Sequence, residues 1–180
     1  MFEPIAESDV PLIAALMNRA YRGSGASAGW NSEAPYIAGD RTTEALLRAD
    51  LSADPAATML KWIERPGEEP SGCVWLKPVH DKIWYLGSLA ADPSRQNGGL
   101  GRRMLAAAED WVRTHGGESV RMTVVNVRET LIAWYVRRGY RLTGETEPFP
   151  YGDDRFGTPL RADLSFVVLQ RYLTVDGAGL

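Results

Sequence analysis

Residues 89–103 read Leu89-Ala90-Ala91-Asp92-Pro93-Ser94-Arg95-Gln96-Asn97-Gly98-Gly99-Leu100-Gly101-Arg102-Arg103, and their order decides the fold. An apolar strand end runs into Pro93, which cannot donate to a ladder, and the chain then passes through three glycines into a helix. The first amides of a helix lack intrahelical partners, and the helix dipole adds partial positive charge there. Glycines let an anion approach such a backbone without a Cβ in the way. Arg95, Arg102 and Arg103 flank the turn with positive charge, apt for a diphosphate. Two common nucleotide patterns do not fit. No Gly-Lys-Ser/Thr follows the glycines, as a P-loop requires. After Gly99-Leu100-Gly101 come Arg102-Arg103-Met104, with Met104 where a dinucleotide fingerprint needs a third small residue. Glycine-rich turns also precede helices with no ligand, so the turn alone leaves both readings open.

Upstream, strand-like runs at 58–64, 72–79 and 82–91 are separated by the segment 66–71 and the tight His80-Asp81 turn, which predicts an antiparallel meander. Phe2 to Ala6 reads as a short strand. A helix over 9–22 puts Ile13, Leu16, Met17 and Ala20 on one face, and a second, capped by Thr42 or Thr43, runs to about Ser52. The intervening residues 23–41 read as a loop with aromatic anchors. Downstream, the helix after the glycines extends to about His115, with Leu100, Met104, Ala108, Trp111 and Val112 in one stripe. A strand at 119–125, a short helix at 129–138 stopped by Gly139, and strands at 140–146 and 162–172 around the loop 147–160 complete the order. The expected fold is α/β (α+β): a mixed, mostly antiparallel central sheet of about seven strands with helices on both faces. Residues 1–173 are expected to form one domain and 174–180 a C-terminal tail.

A chain of 180 residues buries on the order of 70% of its unfolded surface. At 44% hydrophobic and 24% charged, with six Trp and seven Tyr, it is not a disordered chain. Twenty Lys+Arg against 23 Asp+Glu leave a net charge of -3, too balanced for a dedicated nucleic-acid binder. The single cysteine, Cys73, excludes an intramolecular disulfide, and His80 and His115 are too sparse for a His-based metal centre, so no metal is expected. No apolar run approaches ~20 residues, and Met1-Phe2-Glu3-Pro4 lacks a signal-peptide layout. The expectation is a cytoplasmic protein with no membrane or nucleic-acid partner; edge strands leave a homodimer open.

Gln96, Gly99 and Gly101, preceded by Ala91-Asp92-Pro93, resemble the acetyl-coenzyme A signature of the GNAT N-acetyltransferase superfamily: Gln or Arg, two residues, Gly, one residue, Gly or Ala. One strand later, Leu131-Ile132-Ala133-Trp134-Tyr135-Val136-Arg137-Arg138-Gly139-Tyr140 is similar to the family's second element, Tyr, three residues, Gly, aromatic. The element order also matches over nearly the whole chain. The resemblance implies acetyl-CoA as co-substrate and transfer of its acetyl group to a primary amine (a small amine, an amino acid or a peptide N-terminus) by direct attack in a ternary complex. It implies that the backbone of Leu89, Ala90 and Ala91 pairs with the pantetheine arm like an added strand. That requires strands 82–91 and 119–125 to splay, commonly through a bulge that Gly87 would ease. Amides from Gln96 and Asn97 through Gly98, Gly99, Leu100 and Gly101 to Arg102, with Arg95 beside them, would hold the pyrophosphate. Tyr135 matches the tyrosine that contacts the coenzyme and protonates its departing thiolate; a free thiol has a pKa of about 8.5, within reach of a phenol. The plain alternative for Tyr135 is a helix residue packed beneath the sheet. Where the family often has Asn, seven residues before this Tyr, stands Arg128: a contact for a coenzyme phosphate or a substrate carboxylate, or a solvated helix-start residue.

An alkylamine of pKa ~10.4 must lose a proton before it attacks a thioester. Glu33 is a candidate base, Ser88 a residue to position a water, and Asp40 and Glu44 further candidates; each also reads as a surface group or cap. The acceptor wall is expected from 24–40 and 147–157. There Trp30, Tyr36, Phe149, Pro150 and Tyr151 supply aromatic and apolar surface, and Glu33, Asp40, Asp153 and Asp154 negative charge, a mixture suited to a cationic amine. The same aromatics equally read as pins for long loops. The rival function is a non-catalytic coenzyme A-binding, sensing or protein-interaction module on the same fold.

Overall fold

A computed structural model describes residues 1–25 and 29–173. The side chains of Gln96, Asn97 and Asp154, and the tail 174–180, lie outside the described residues. In chain order the elements are β1 (Phe2–Pro4), α1 (Val10–Arg22), β2 (Ile37–Ala38), α2 (Glu44–Ala53), β3 (Thr58–Trp62), β4 (Gly72–His80), β5 (Ile83–Ala91), α3 (Leu100–Thr114), β6 (Ser119–Val125), α4 (Glu129–Val136), β7 (Arg141–Pro148), β8 (Thr158–Pro159) and β9 (Ser165–Tyr172). Pro11 sits in the first turn of α1, where its missing N–H has no intrahelical acceptor in any case. Thr43 caps α2 by accepting the Leu46 amide at 3.2 Å. Gly99, at φ +70°, starts α3.

One sheet runs in the order β1-β3-β4-β5-β6-β9-β7, antiparallel throughout except for the β5–β6 pair. Strand alternation sorts its side chains to two faces. Met59 and Cys73 pack with Ile13, Leu16, Met17 and Leu47 from α1 and α2. Leu60, Val74 and Leu76 pack instead with Leu105, Ala108 and Val112 of α3 and Tyr135 of α4. The fold is thus the expected one, mixed and mostly antiparallel with seven strands and helices on both faces. The differences lie in the loops. The segments 23–41 and 147–160 meet in a two-stranded ribbon, Ile37 opposite Pro159 and Ala38 opposite Thr158. Two residues are too few to leave an alternation in sequence.

The feature that makes a site is where the parallel pairing stops. β5 and β6 pair only at Ile83, Trp84 and Tyr85 with Ser119, Val120 and Arg121. Farther along, β5 is bulged: Trp75 of β4 faces Gly87 and Cys73 faces Ala90, so Ser88 and Leu89 share the single residue Val74. Ser88 takes the left-handed conformation, φ +48°. The bulge therefore falls on Ser88 rather than on Gly87. Gly87 is needed for a different reason, since a Cβ there would stand 2.8 Å from the ring of Tyr85.

Gly157 holds the ribbon at φ +91°, where a Cβ would collide with the Ala38 carbonyl oxygen. Gly157→Ala should lower unfolding free energy by about 1–3 kcal/mol in urea melts, whereas an unchanged midpoint would mean that the ribbon is not anchored this way.

Candidate active site

Past Tyr85 and Arg121 the diverging strands enclose a cavity of about 310 Å³, walled by Gly87–Leu89 on one side and Met122–Val125 on the other. The hydroxyls of Tyr85 and Thr123 lie 3.1 Å apart and bridge the opening where backbone pairing has ceased. A second cavity of about 100 Å³ lies between the end of β5 and the helices, lined by Ala91, Gly99, Gly101, Arg102, Trp134 and Arg138. Asn31, Leu89, Leu131 and Tyr135 line both. The two spaces meet at the bulge.

The glycine turn is built by Asp92, which accepts from the Ser94 amide at 2.9 Å and the Ser94 hydroxyl at 2.6 Å. Burial alone would raise the Asp92 carboxyl, but these bonds and Arg19 outweigh it and hold it below the usual value. A short 3₁₀ turn over Pro93–Gly98 follows, and Gly99 then accepts the Arg103 amide at 3.1 Å. The amides of Leu100, Gly101 and Arg102 are first-turn amides without an intrahelical acceptor. Gly99 is needed for its positive φ more than for space, since a Cβ there would meet nothing within 4 Å. At Gly101 it would stand 3.6 Å from Trp134. Of the three arginines at the turn, only Arg102 lines the second cavity. Arg95, with Gly98, lines a separate outer hollow, and Arg103 pairs with Glu64 at 2.9 Å. The sequence reading missed Arg138, which stacks 3.6 Å above the Trp134 ring. Burial, reinforced by the Arg137 and Arg102 charges, lowers its pKa.

Tyr135 is 6% exposed, with its ring edge-on to Trp134 at 5.0 Å and Tyr140 at 5.6 Å. Burial pushes its phenol up to about 12, with Arg128 opposing. Tyr135 thus both packs beneath the sheet and borders the cleft. Tyr21, not anticipated from sequence, borders the first cavity and donates to the Leu89 carbonyl at 3.4 Å.

Glu33 is buried between two arginines. Arg128 donates to it at 2.6 Å, and Arg22 contacts its other oxygen. Arg22 also donates to the Phe156 carbonyl at 2.7 Å and Arg128 to the Asn31 carbonyl. Arg128 is therefore not a solvated helix-start residue: it is 8% exposed, and it borders the first cavity rather than the glycine turn. Ser88, Phe149 and Pro150 line the first cavity. Trp30 lies instead on the second cavity, 6.4 Å from Trp134. Tyr36 packs with Ile37 and Phe149, and the Tyr151 hydroxyl joins Arg161 and Leu164; neither lines either cavity. Asp40 and Asp153 are exposed and away from both, and Glu44 pairs with Arg48 at 3.1 Å. Arg41, Thr123, Glu147 and Phe156 complete the wall without having announced themselves in the sequence.

Among the described residues no group of three or more His, Cys, Asp or Glu side chains is placed to hold a metal, and no helix is long and apolar enough to cross a membrane. A family model described as the Acetyltransferase (GNAT) family matches residues 26–140. No curated protein matches the chain by sequence. The ribosomal-protein-S18-alanine N-acetyltransferase of Escherichia coli superposes with a TM-score of 0.67 at 16% identity, covering 100% of this chain and 97% of that one. The ribosomal-protein-alanine N-acetyltransferase of Brucella melitensis gives 0.66 at 18%, covering 96% and 99%. The IAA acetyltransferase of Bacillus cereus gives 0.63 at 16%, covering 96% and 99%. At these identities the likeness is one of fold. With the family match spanning more than half its length, the chain belongs to the GNAT acetyltransferase family.

Proposed function

We propose that this chain transfers the acetyl group of acetyl-CoA to a primary amine by direct attack in a ternary complex. The observation that carries this reading is the meeting of two cavities at Leu89 and Tyr135, one running to a helix start with first-turn amides and the other opening among polar side chains. The residues fit the coenzyme. The β5 ladder to β6 ends at Tyr85, which leaves that edge of Leu89, Ala90 and Ala91 for an extended arm to add as a strand. The amides of Leu100–Arg102, with Arg102 and Arg138 beside them, suit a diphosphate. Acetyl-CoA supplies the activated thioester.

Tyr135 is the acid in this reading. A phenol held at about 12 keeps its proton throughout the neutral range. Such an acid matches a leaving thiolate only if that sulfur is dry as well. Desolvation makes a thiolate more basic and so a readier acceptor of the phenol's proton. Glu33 has both carboxylate oxygens engaged by arginines, so we assign it to holding Arg22 and Arg128 rather than to removing a proton. Ser88 borders the same cavity as Glu147, and a water on the Ser88 hydroxyl gives the ammonium proton a route toward that carboxylate.

Tyr135→Phe should lower kcat about 10²-fold or more while the calorimetric Kd for coenzyme A stays within about threefold; full turnover would remove Tyr135 from the acid role. Since a phenol loses its proton only as pH rises through its pKa, kcat should show no descending limb from lost acid between about pH 7 and about pH 10. A limb centred in that window would assign another acid. Glu33→Gln should cost about 3–5 kcal/mol of folding stability, because it leaves two buried guanidiniums against a neutral amide. A variant of normal stability that has lost turnover alone would return Glu33 to the base role.

A further inference from the structure

We infer that the acceptor is an amine that also carries a carboxylate, and that Arg41 binds that carboxylate; this rests on the acetyltransferase reading above. Among the described residues, the charged side chains on the wall of the first cavity are Arg22, Arg41, Arg128, Glu33 and Glu147. Two of the arginines are already matched. Arg22 and Arg128 share Glu33, and each donates to a backbone carbonyl as well. Arg41 has no such partner among the described residues. Its guanidinium instead lies over the rings of Tyr21 and Phe156, 5.4 Å from each centroid.

The backbone that carries this side chain is anchored to α1. The Arg41 amide donates to the Asn18 side-chain oxygen at 2.7 Å, and the Asn18 side-chain amide donates to the Thr42 carbonyl at 2.9 Å. A guanidinium held by aromatic faces keeps its in-plane N–H groups for a planar two-oxygen acceptor, the geometry of a carboxylate. Across the wall, among the described residues, three guanidiniums face two carboxylates. A polyamine or another purely cationic acceptor would add positive charge to that excess. An ammonium joined to a carboxylate adds none and finds opposite charges in Glu147 and Arg41. Size points the same way: about 310 Å³ lies at the lower end of the ~300–1,000 Å³ usual for small-molecule sites, and the acyl group needs part of it.

The test compares acids with their own amides. Free α- and ω-amino acids, the matching amino-acid amides, and Asp-first peptides with amidated C-termini would be titrated calorimetrically into the protein saturated with coenzyme A. The same panel would be assayed for thiol release from acetyl-CoA. The expected result is tighter binding, and kcat/KM at least about 30-fold higher, for the acids than for the amides. Reactivity alone favours the amides, because a neighbouring carboxylate keeps an ammonium protonated. Arg41→Gln should bring the acid-to-amide ratio close to one, and Arg41→Lys, a point charge without the fork, should retain part of it. A preference for Asp-first peptides over free amino acids would keep the carboxylate on Arg41 and assign it to a peptide side chain. Amides or plain amines that bind and react as well as the acids in the unaltered protein would overturn the inference and leave the acetyltransferase reading standing. Failure of every amine to release thiol would overturn that reading, while the calorimetric acid-to-amide ratio would still decide the carboxylate site.

Discussion

One extra residue on one strand governs the rest of the molecule. From the Pro78–Trp84 pair to the Trp75–Gly87 pair β4 and β5 keep one register, and past Gly87 β5 takes in a residue that β4 cannot match. A bulge bends its strand and sharpens the local twist. Here the bent end of β5 turns away from β6, which is held straight by seven consecutive pairs with β9. The parallel ladder therefore ends after three pairs, and an opening appears inside a sheet rather than at its edge. Such an opening would be costly if left dry and polar. It is furnished instead with the Tyr85–Thr123 hydroxyl bridge and the Tyr21 hydroxyl on the Leu89 carbonyl, and Tyr135 closes it from below.

Charge gives the opening its second level of order. Glu33 draws together the C-terminus of α1, through Arg22, and the start of α4, through Arg128, which lies 95 residues along the chain from Glu33. Breaking one partner of a buried, fully bonded set is expensive, so this triad behaves as a strut. Its position explains why an arginine is tolerated just before α4: the guanidinium is directed at Glu33 and the Asn31 carbonyl, on the side of the cleft away from the glycine turn. One end of the cleft is thereby left to backbone amides and arginines and the other to aromatic rings and mixed charges.

Much of this was legible in sequence wherever the signal is local. The meander, the strand at 119–125, the helix from the glycines and the Thr43 cap each depend on a few adjacent residues. The glycine turn and Tyr135 could be read because spacing along an element translates directly into position in space. Three features could not. Ser88 adopts a conformation for which glycine is the usual marker, so the sequence points to Gly87, one residue before the bulge. The β2–β8 ribbon has only two residues on each side, and the loops it joins therefore read as irregular. Glu33 looked like a free carboxylate because its partners, Arg22 and Arg128, lie on other elements. The same holds for Arg41, whose place between two rings depends on loops that only the folded chain brings together.

Amide hydrogen exchange with and without saturating coenzyme A tests the central claim most directly, because it asks whether the parted strand edge and the helix start receive the ligand together. The expected result is slower exchange at Leu89–Ala91 and at Leu100–Arg102, with the outer strand β7 unchanged. Measurable coenzyme binding that leaves both segments exchanging as before would contradict it.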